Sequence, residues 1–238
     1  MKIIALGDIH GNLPALEACF ERAETEGYDW IVHTGDVAGY GPYTNECVRI
    51  LHARNIPGAR GNFDENVGWD EDDSGAYDSD ASERVLAEAS FIWTKRHVDP
   101  WCRRWLADLP FEVRNESGGW RVAVYHACPI DLYSYLYKDT PEPRFIEYGE
   151  AAAGADIVIL GHSHHPFHRQ VGARHFVNAG SVGRPRDNNP ETGYAVIQIN
   201  GDVKVSFSRF PYDVGRAAEA IKQSGLPREL AERLTRGA

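Results

Sequence analysis

The sequence has little with which to staple or anchor itself. Its four cysteines, Cys19, Cys47, Cys102 and Cys128, stand far apart and form no C-x-x-C pair, so neither a zinc knuckle nor a disulfide framework is indicated, and a reducing compartment is the default. Long apolar runs are also scarce. The first, Ile3 to Leu6, is broken by Gly7 and Asp8, too short for the apolar part of a signal peptide or for a membrane span; the expected location is cytoplasmic, with no membrane partner. Basic charge is thin. Against 25 Lys and Arg stand 35 Asp and Glu, a net charge of −10, and no Lys or Arg occurs between Arg60 and Arg84, where Asp64, Glu65, Asp70, Glu71, Asp72, Asp73, Asp78 and Asp80 gather. A chain without a basic stripe cannot neutralise many phosphates at once, which excludes a dedicated duplex nucleic-acid binder and leaves small anions.

What is present is a normal globular composition. With 42% apolar residues in 238, no internal repeat and no Gly/Ser- or Pro-rich linker, one domain over residues 1–238 is the simplest organisation. Continuous apolar runs at Ile3 to Leu6, Trp30 to Val32, Val122 to Tyr125, Ile157 to Leu160 and Tyr194 to Ile199 read as buried strands. A helix follows the first: Asn12 caps it, Pro14 opens it, Leu13, Leu16, Phe20 and Ala23 share a face, and Gly27 closes it. Asn200-Gly201 predicts a hairpin turn ahead of the alternating Val203, Val205 and Phe207, so the sheets are mixed. The acidic stretch at 64–80 and the run from Pro129 to Pro143 read as long loops. At about 213–238, Val214, Ala217, Ile221, Leu230 and Leu234 predict amphipathic helices broken near Gly225 and Pro227, packed on the sheet or on another subunit as in a homodimer.

The chemistry lies where polar residues follow these runs. Asp8 and His10 follow the first, Asp36 the second, Gly61-Asn62 follows Ile56, His126 follows Tyr125, and His162 and His164 follow Leu160, so that five successive segments read as strand ends that carry a ligand-type residue. The carboxyl ends of parallel strands open onto one crevice, so such groups can converge from distant positions. Two residues apart, Asp8 with His10 and His162 with His164 would face the same side of an extended segment. A Gly-Asp turn or a single His means little alone; five such segments are another matter. Two carboxylates, one amide and four imidazoles exceed what one ion takes and suit two divalent ions, Mn first and Fe, Zn or Ni by the same nitrogen and oxygen preference. Paired ions of this kind make hydroxide available near neutral pH and clamp an in-line displacement at phosphorus.

Gly7-Asp8-Ile9-His10-Gly11, Gly35-Asp36, Gly61-Asn62, His126 and Gly161-His162-Ser163-His164 resemble, in order, the five blocks of the calcineurin-like metallophosphoesterase superfamily. The run Asn178 to Gly183 resembles a segment of its small bacterial and archaeal phosphodiesterase-like members. The resemblance implies an α/β fold, a four-layer αββα sandwich of two mixed sheets flanked by helices. It also implies a dinuclear centre in which Asp8, His10, Asp36 and His164 hold one metal, and Asp36, Asn62, His126 and His162 the other. Asp36 is then the bridge, with a metal-bridging hydroxide as the attacking group.

One position departs from the pattern. Many members carry a leaving-group acid, a His, directly after the third-block Asn; here Phe63 and then Asp64 follow Asn62. Asp64 beside two cations would stay ionised, leaving His33, His165 or solvent to donate, and favouring leaving groups that need no proton. Arg184 and Arg186 are candidates for a guanidinium fork on phosphate or for pairs to the acidic stretch. Tyr133, Tyr135 and Tyr137 are candidates for stacking on a nucleobase, while His165 and His168 read as outer or solvent groups. The expected function is a dinuclear phosphodiesterase or nucleotide phosphohydrolase for small phosphoesters. A phosphomonoesterase or Ser/Thr protein phosphatase is the alternative enzyme, and a non-catalytic metal-binding scaffold the alternative of another class.

Overall fold

A computed structural model describes residues 1–76 and 80–238. The chain opens with β1 (Lys2–Leu6), α1 (Leu13–Glu26) and β2 (Trp30–His33), followed by four helices: α2 (Thr44–Ala53), α3 (Asn62–Gly68), α4 (Ala81–His97) and α5 (Pro100–Ala107). Then come β3 (Val113–Ser117), β4 (Trp120–Val124), α6 (Glu142–Ala151), β5 (Ile157–Leu160), β6 (Phe167–Val171) and β7 (Arg174–Asn178). The long hairpin of β8 (Thr192–Asn200) and β9 (Asp202–Phe210) precedes α7 (Val214–Ser224) and α8 (Arg228–Arg236). One sheet has the order β2-β1-β8-β9 and the other β3-β4-β5-β7-β6. Both are mixed: β1 runs parallel to β2 and antiparallel to β8, while β5 runs parallel to β4 and β7.

The period-two alternation of strands builds four layers. Ile3, Ala5, Val122, Val124, Ile157 and Ile159 share the core between the sheets. Their neighbours point the other way: Ile4 and Leu6 meet Leu16 and Phe20 of α1, and Ala123, Val158 and Leu160 meet Phe145 and Tyr148 of α6. The first helix forms as its residues dictate, with the Asn12 side chain accepting from Ala15 N–H at 3.2 Å and Gly27 at φ 68° ending it. A separate apolar cluster holds α7 and α8 together and against Leu86 of α4, which accounts for the buried face of the C-terminal helices.

Two expectations need correction. The acidic stretch is not a loop throughout, because its first part lies in α3, where Asp64 reaches back to accept Gly61 N–H and closes the first turn. Residues 77–79, including Asp78, lie outside the described residues. The segment before Asn62 is not a strand; it makes only an isolated bridge, His33 to Gly58, and Asn62 opens α3. From Pro129 to Thr140 the chain has no regular element, as expected, whereas Glu142 and Pro143 already belong to α6.

Candidate metal centre

All seven candidate donors meet at the carboxyl ends of β1, β2, β4 and β5 and at the start of α3, each no more than 6% exposed. They do not get there as extended segments. Asp8, His10, Asp36, His162 and His164 have φ of 28°, 47°, 47°, 64° and 61°, a left-handed backbone that non-glycine residues adopt at a cost of about 1–3 kcal/mol each. The same-side argument for residues two apart therefore fails for His162 and His164, which go to different partners: His164 Nε2 lies 3.1 Å from His10 Nε2, and His162 Nδ1 lies 3.0 Å from His126 Nε2.

The tautomers decide what these contacts are. His10 Nδ1 faces Ala38 O at 2.9 Å, His126 Nδ1 faces Thr34 O at 2.9 Å, His164 Nδ1 faces Arg184 O at 2.7 Å and His162 Nε2 faces Tyr133 O at 3.1 Å. A carbonyl can only accept, so each of these outer nitrogens carries the ring proton. Burial pushes all four imidazoles below the usual histidine range, His10 to about 3 and His162 to about 4, so none holds a second proton. Both inward nitrogens of each pair are then bare lone pairs facing one another, and neither contact is a hydrogen bond. Asn62 repeats the pattern: its Nδ2 donates to Ser74 O at 2.9 Å, which leaves Oδ1 facing His126 Nε2 at 3.0 Å.

The carboxylates complete the set. Asp36 Oδ1 accepts Phe63 N–H at 2.9 Å, and Oδ2 stands between the two imidazole pairs, 3.7 Å from His10 Nε2 and 3.6 Å from His126 Nε2. Asp8 accepts His162 N–H at 3.0 Å and lies 3.7 Å from His164 Nε2. Burial raises both acids well above the carboxylate range, an effect strengthened by nearby Asp64; a cation among them removes that penalty. Neutral imidazoles locked by outer carbonyls, an amide oxygen and two buried acids fit divalent metal ions, with the outer partners that metal-binding histidines characteristically have. Ligand atoms fall within 4.8 Å of one another in two groups, Asp8 with His10 and His164, and Asp8 with Asp36 and His126. Asp8 is common to both groups, and Asp36 reaches both halves through its distances to His10 and His126.

Two glycines of the motifs have a steric reason. A Cβ at Gly61 would lie 2.1 Å from Asp36 Oδ1, and one at Gly161 would lie 2.6 Å from Asp8 Oδ2. The run Asn178 to Gly183 ties the loops together: Asn178 Nδ2 donates to Gly161 O at 2.6 Å, and Ser181 Oγ donates to Asp8 O at 2.8 Å.

A small cavity, lined in part by His10, Asp36, Asn62, His162 and His164, opens at the candidate donors. Of the candidate substrate contacts, Arg184, Arg186 and Tyr135 line it. Tyr133 and Tyr137 are not among its lining residues. Tyr133 gives its carbonyl to His162 and its hydroxyl to Glu65 at 3.2 Å, and Tyr137 stacks behind Tyr135, which itself stacks on His162 at 4.2 Å. Phe63 lines the cavity edge-on to His10. Asp64 is committed to backbone, accepting from Ala38 and Gly61, and His33 is buried beneath Trp105 at the end of β2, outside the cavity lining. His165 is exposed and its Nδ1 donates to Ser163 O, while His168 pairs with His175 across β6 and β7. The two arginines pair with Glu83 of α4, a residue that motif reading did not single out. The carbonyls of Thr34, Ala38, Tyr133 and Arg184 were likewise invisible to it, since a carbonyl has no residue signature.

A family model described as the calcineurin-like phosphoesterase superfamily domain matches residues 1–202. An uncharacterized protein of Methanocaldococcus jannaschii is 31% identical over 99% of this chain and 98% of its own. Phosphodiesterase YfcE of Escherichia coli is 25% identical over 80% of this chain and 84% of its own. The crystal structure of a metallophosphoesterase from Sphaerobacter thermophilus superposes with a TM-score of 0.78 at 26% identity, covering all of both chains. No helix among the described residues is long and apolar enough to cross a membrane.

Proposed function

The chain belongs to the calcineurin-like phosphoesterase superfamily, and from that premise we propose that it is a dinuclear metal-dependent phosphodiesterase or nucleotide phosphohydrolase acting on small substrates. Hydrolase chemistry comes with the family and is supported by a relative named as a phosphodiesterase. The finer reading rests above all on one observation: four neutral imidazoles, each with its outer N–H on a backbone carbonyl, turn bare lone pairs toward one another at 3.0–3.1 Å on either side of Asp36. Divalent cations in such a set supply Lewis acidity toward phosphoryl oxygen and a nucleophile at neutral pH.

His10 and His164 with Asp8 would hold one ion, Asn62, His126 and His162 the other, and Asp36 would reach both. Manganese suits these donors, as do Fe, Zn and Ni. The carbonyls of Ala38, Thr34, Tyr133 and Arg184 keep each imidazole in its binding tautomer, so little reorganisation is left for the moment of reaction. Phe63 presents an apolar ring to the cavity where a proton donor would stand. That favours substrates whose leaving group departs as a stable anion, such as aryl phosphodiesters and phosphoanhydrides, over alkyl monoesters.

The test is to strip the chain with chelator, reload it with Mn²⁺ and measure kcat/KM on bis-p-nitrophenyl phosphate and p-nitrophenyl phosphate. Chelator-sensitive activity, restored by metal and higher on the diester, is the expected result. Higher activity on the monoester moves the chain to the phosphomonoesterase class, and bound metal without turnover on any phosphoester makes it a scaffold.

A further inference from the structure

One buried imidazole near the centre is neither a candidate donor nor a lining residue of the cavity. His33, at the end of β2, is wholly buried, and its Nε2 has no hydrogen-bond partner among the described residues. An apolar side chain there would leave no buried donor unsatisfied; what an imidazole adds is its other nitrogen. Burial pushes the ring down to about 3, so it is neutral near pH 7. His33 Nδ1 faces the Gly35 N–H at 3.2 Å and can only accept it, which puts the ring proton on Nε2. The ring packs directly on Gly58, where a Cβ would lie 2.1 Å from it, and against Trp105, with ring centres 6.2 Å apart.

The Gly35 N–H belongs to the same peptide group as the Thr34 carbonyl, which accepts His126 Nδ1–H at 2.9 Å. That peptide is trans, so its N–H and C=O point to opposite sides, with His33 on one and His126 on the other. We infer that His33 is a positioning residue for the metal centre: by accepting the Gly35 N–H it fixes and polarises the peptide whose carbonyl holds His126 in its metal-binding tautomer. Hydrogen bonds in a chain strengthen one another in a low-dielectric interior, and an outer partner that accepts more strongly makes the imidazole a more basic ligand. The same short segment serves other donors. Asp36 O accepts the N–H groups of Ile9 and His10 at 2.9 and 2.8 Å, and the His33 backbone bonds Pro57 and Ala59 on the way to Asn62. His33 thus acts through Gly35, Thr34 and His126 and is not itself a ligand.

This role rests on the metal-dependent function proposed above, and its test does not need turnover. In the unsubstituted, metal-free chain, nitrogen NMR spectra of the imidazoles should show opposite neutral tautomers, His33 protonated on Nε2 and His126 on Nδ1. The same tautomer on both rings, or a proton on His33 Nδ1, overturns the relay without any substitution. Two variants then separate the acceptor from the bulk of the ring. His33→Asn retains an acceptor, since an asparagine side chain can take the N–H two residues on, whereas His33→Leu removes it and keeps an apolar group in the space. In His33→Leu, Mn²⁺ affinity measured by calorimetry should fall about 10-fold, and the His126 Nδ1–H of the metal-free chain should exchange faster with water; His33→Asn should recover most of both. Equal losses in the two variants reduce His33 to packing, and unchanged affinity and exchange in His33→Leu remove it from the centre. Bound metal without turnover on any phosphoester would defeat the proposed function and leave this relay standing, while hydrolysis that is indifferent to the acceptor at position 33 would do the reverse.

Discussion

Three pairs of histidines among the described residues sit within 0.1 Å of the same separation, 3.0 to 3.1 Å, and they are not the same kind of object. His168 Nε2 and His175 Nδ1, on β6 and β7, are 3.0 Å apart with stacked rings, as close as the His126–His162 pair and closer than His10–His164. At His168 and His175 no backbone carbonyl among the described residues takes the other ring nitrogen, so one ring can donate to the other and the contact is an ordinary hydrogen bond. In the cleft both outer nitrogens of each pair are committed to carbonyls, and the inner contact has no proton to share. A short imidazole contact is therefore uninformative alone; where the outer protons go separates a metal site from a polar pair on a sheet.

That distinction can be broken or sharpened by substitution. The largest effect should come from Asp36→Asn, which keeps the hydrogen bond from Phe63 but removes the charge between the two imidazole pairs. We expect kcat/KM on bis-p-nitrophenyl phosphate to fall by more than the roughly 10- to 100-fold typical of losing an outer partner, with bound metal falling in parallel by elemental analysis. Retained activity would remove Asp36 from the centre. Next in size is Gly61→Ala, which places a methyl group 2.1 Å from Asp36 Oδ1. Moving that carboxylate should weaken metal binding by about 10- to 100-fold, and crowding should cost about 1–3 kcal/mol in denaturant unfolding. Unaltered metal affinity would show that Asp36 need not be held where it is. The smallest belongs to the sheet pair: His168→Gln should change unfolding free energy by about 1 kcal/mol or less and leave metal content unchanged, and a drop in bound metal would contradict the contrast drawn between the pairs.

Much of this architecture was legible because it is written in side chains. Apolar runs such as Ile157 to Leu160 announced buried strands, Asn12 and Gly27 bracketed the first helix, and the seven candidate donors picked out by motif are side chains that the fold brings together. The short strands β3 and β6 were not, because residues such as Arg114, Glu116, Arg169 and Gln170 give no apolar run on partly exposed elements. The helix hidden in the acidic stretch did leave a sign, since Asp64 three residues after Gly61 is a capping arrangement and Asp64 and Glu65 suit the positive end of a helix. The pairing of His10 with His164 and of His126 with His162 was unreadable from spacing, because left-handed turns at five donors override the alternation of an extended chain. Glu83 was hidden for another reason: its partners lie about 100 and 150 positions away, on a loop and on the last helix.

The central claim is that the inward-facing lone pairs exist to hold cations, and counting the ions bound tests it most directly. Protein stripped of metal, equilibrated with Mn²⁺ and freed of excess should retain two ions per chain by elemental analysis, and should lose at least one when His126, the imidazole nearest both Asn62 and His162, is replaced by Gln. Protein that retains no manganese, iron, zinc or nickel under these conditions would contradict the account.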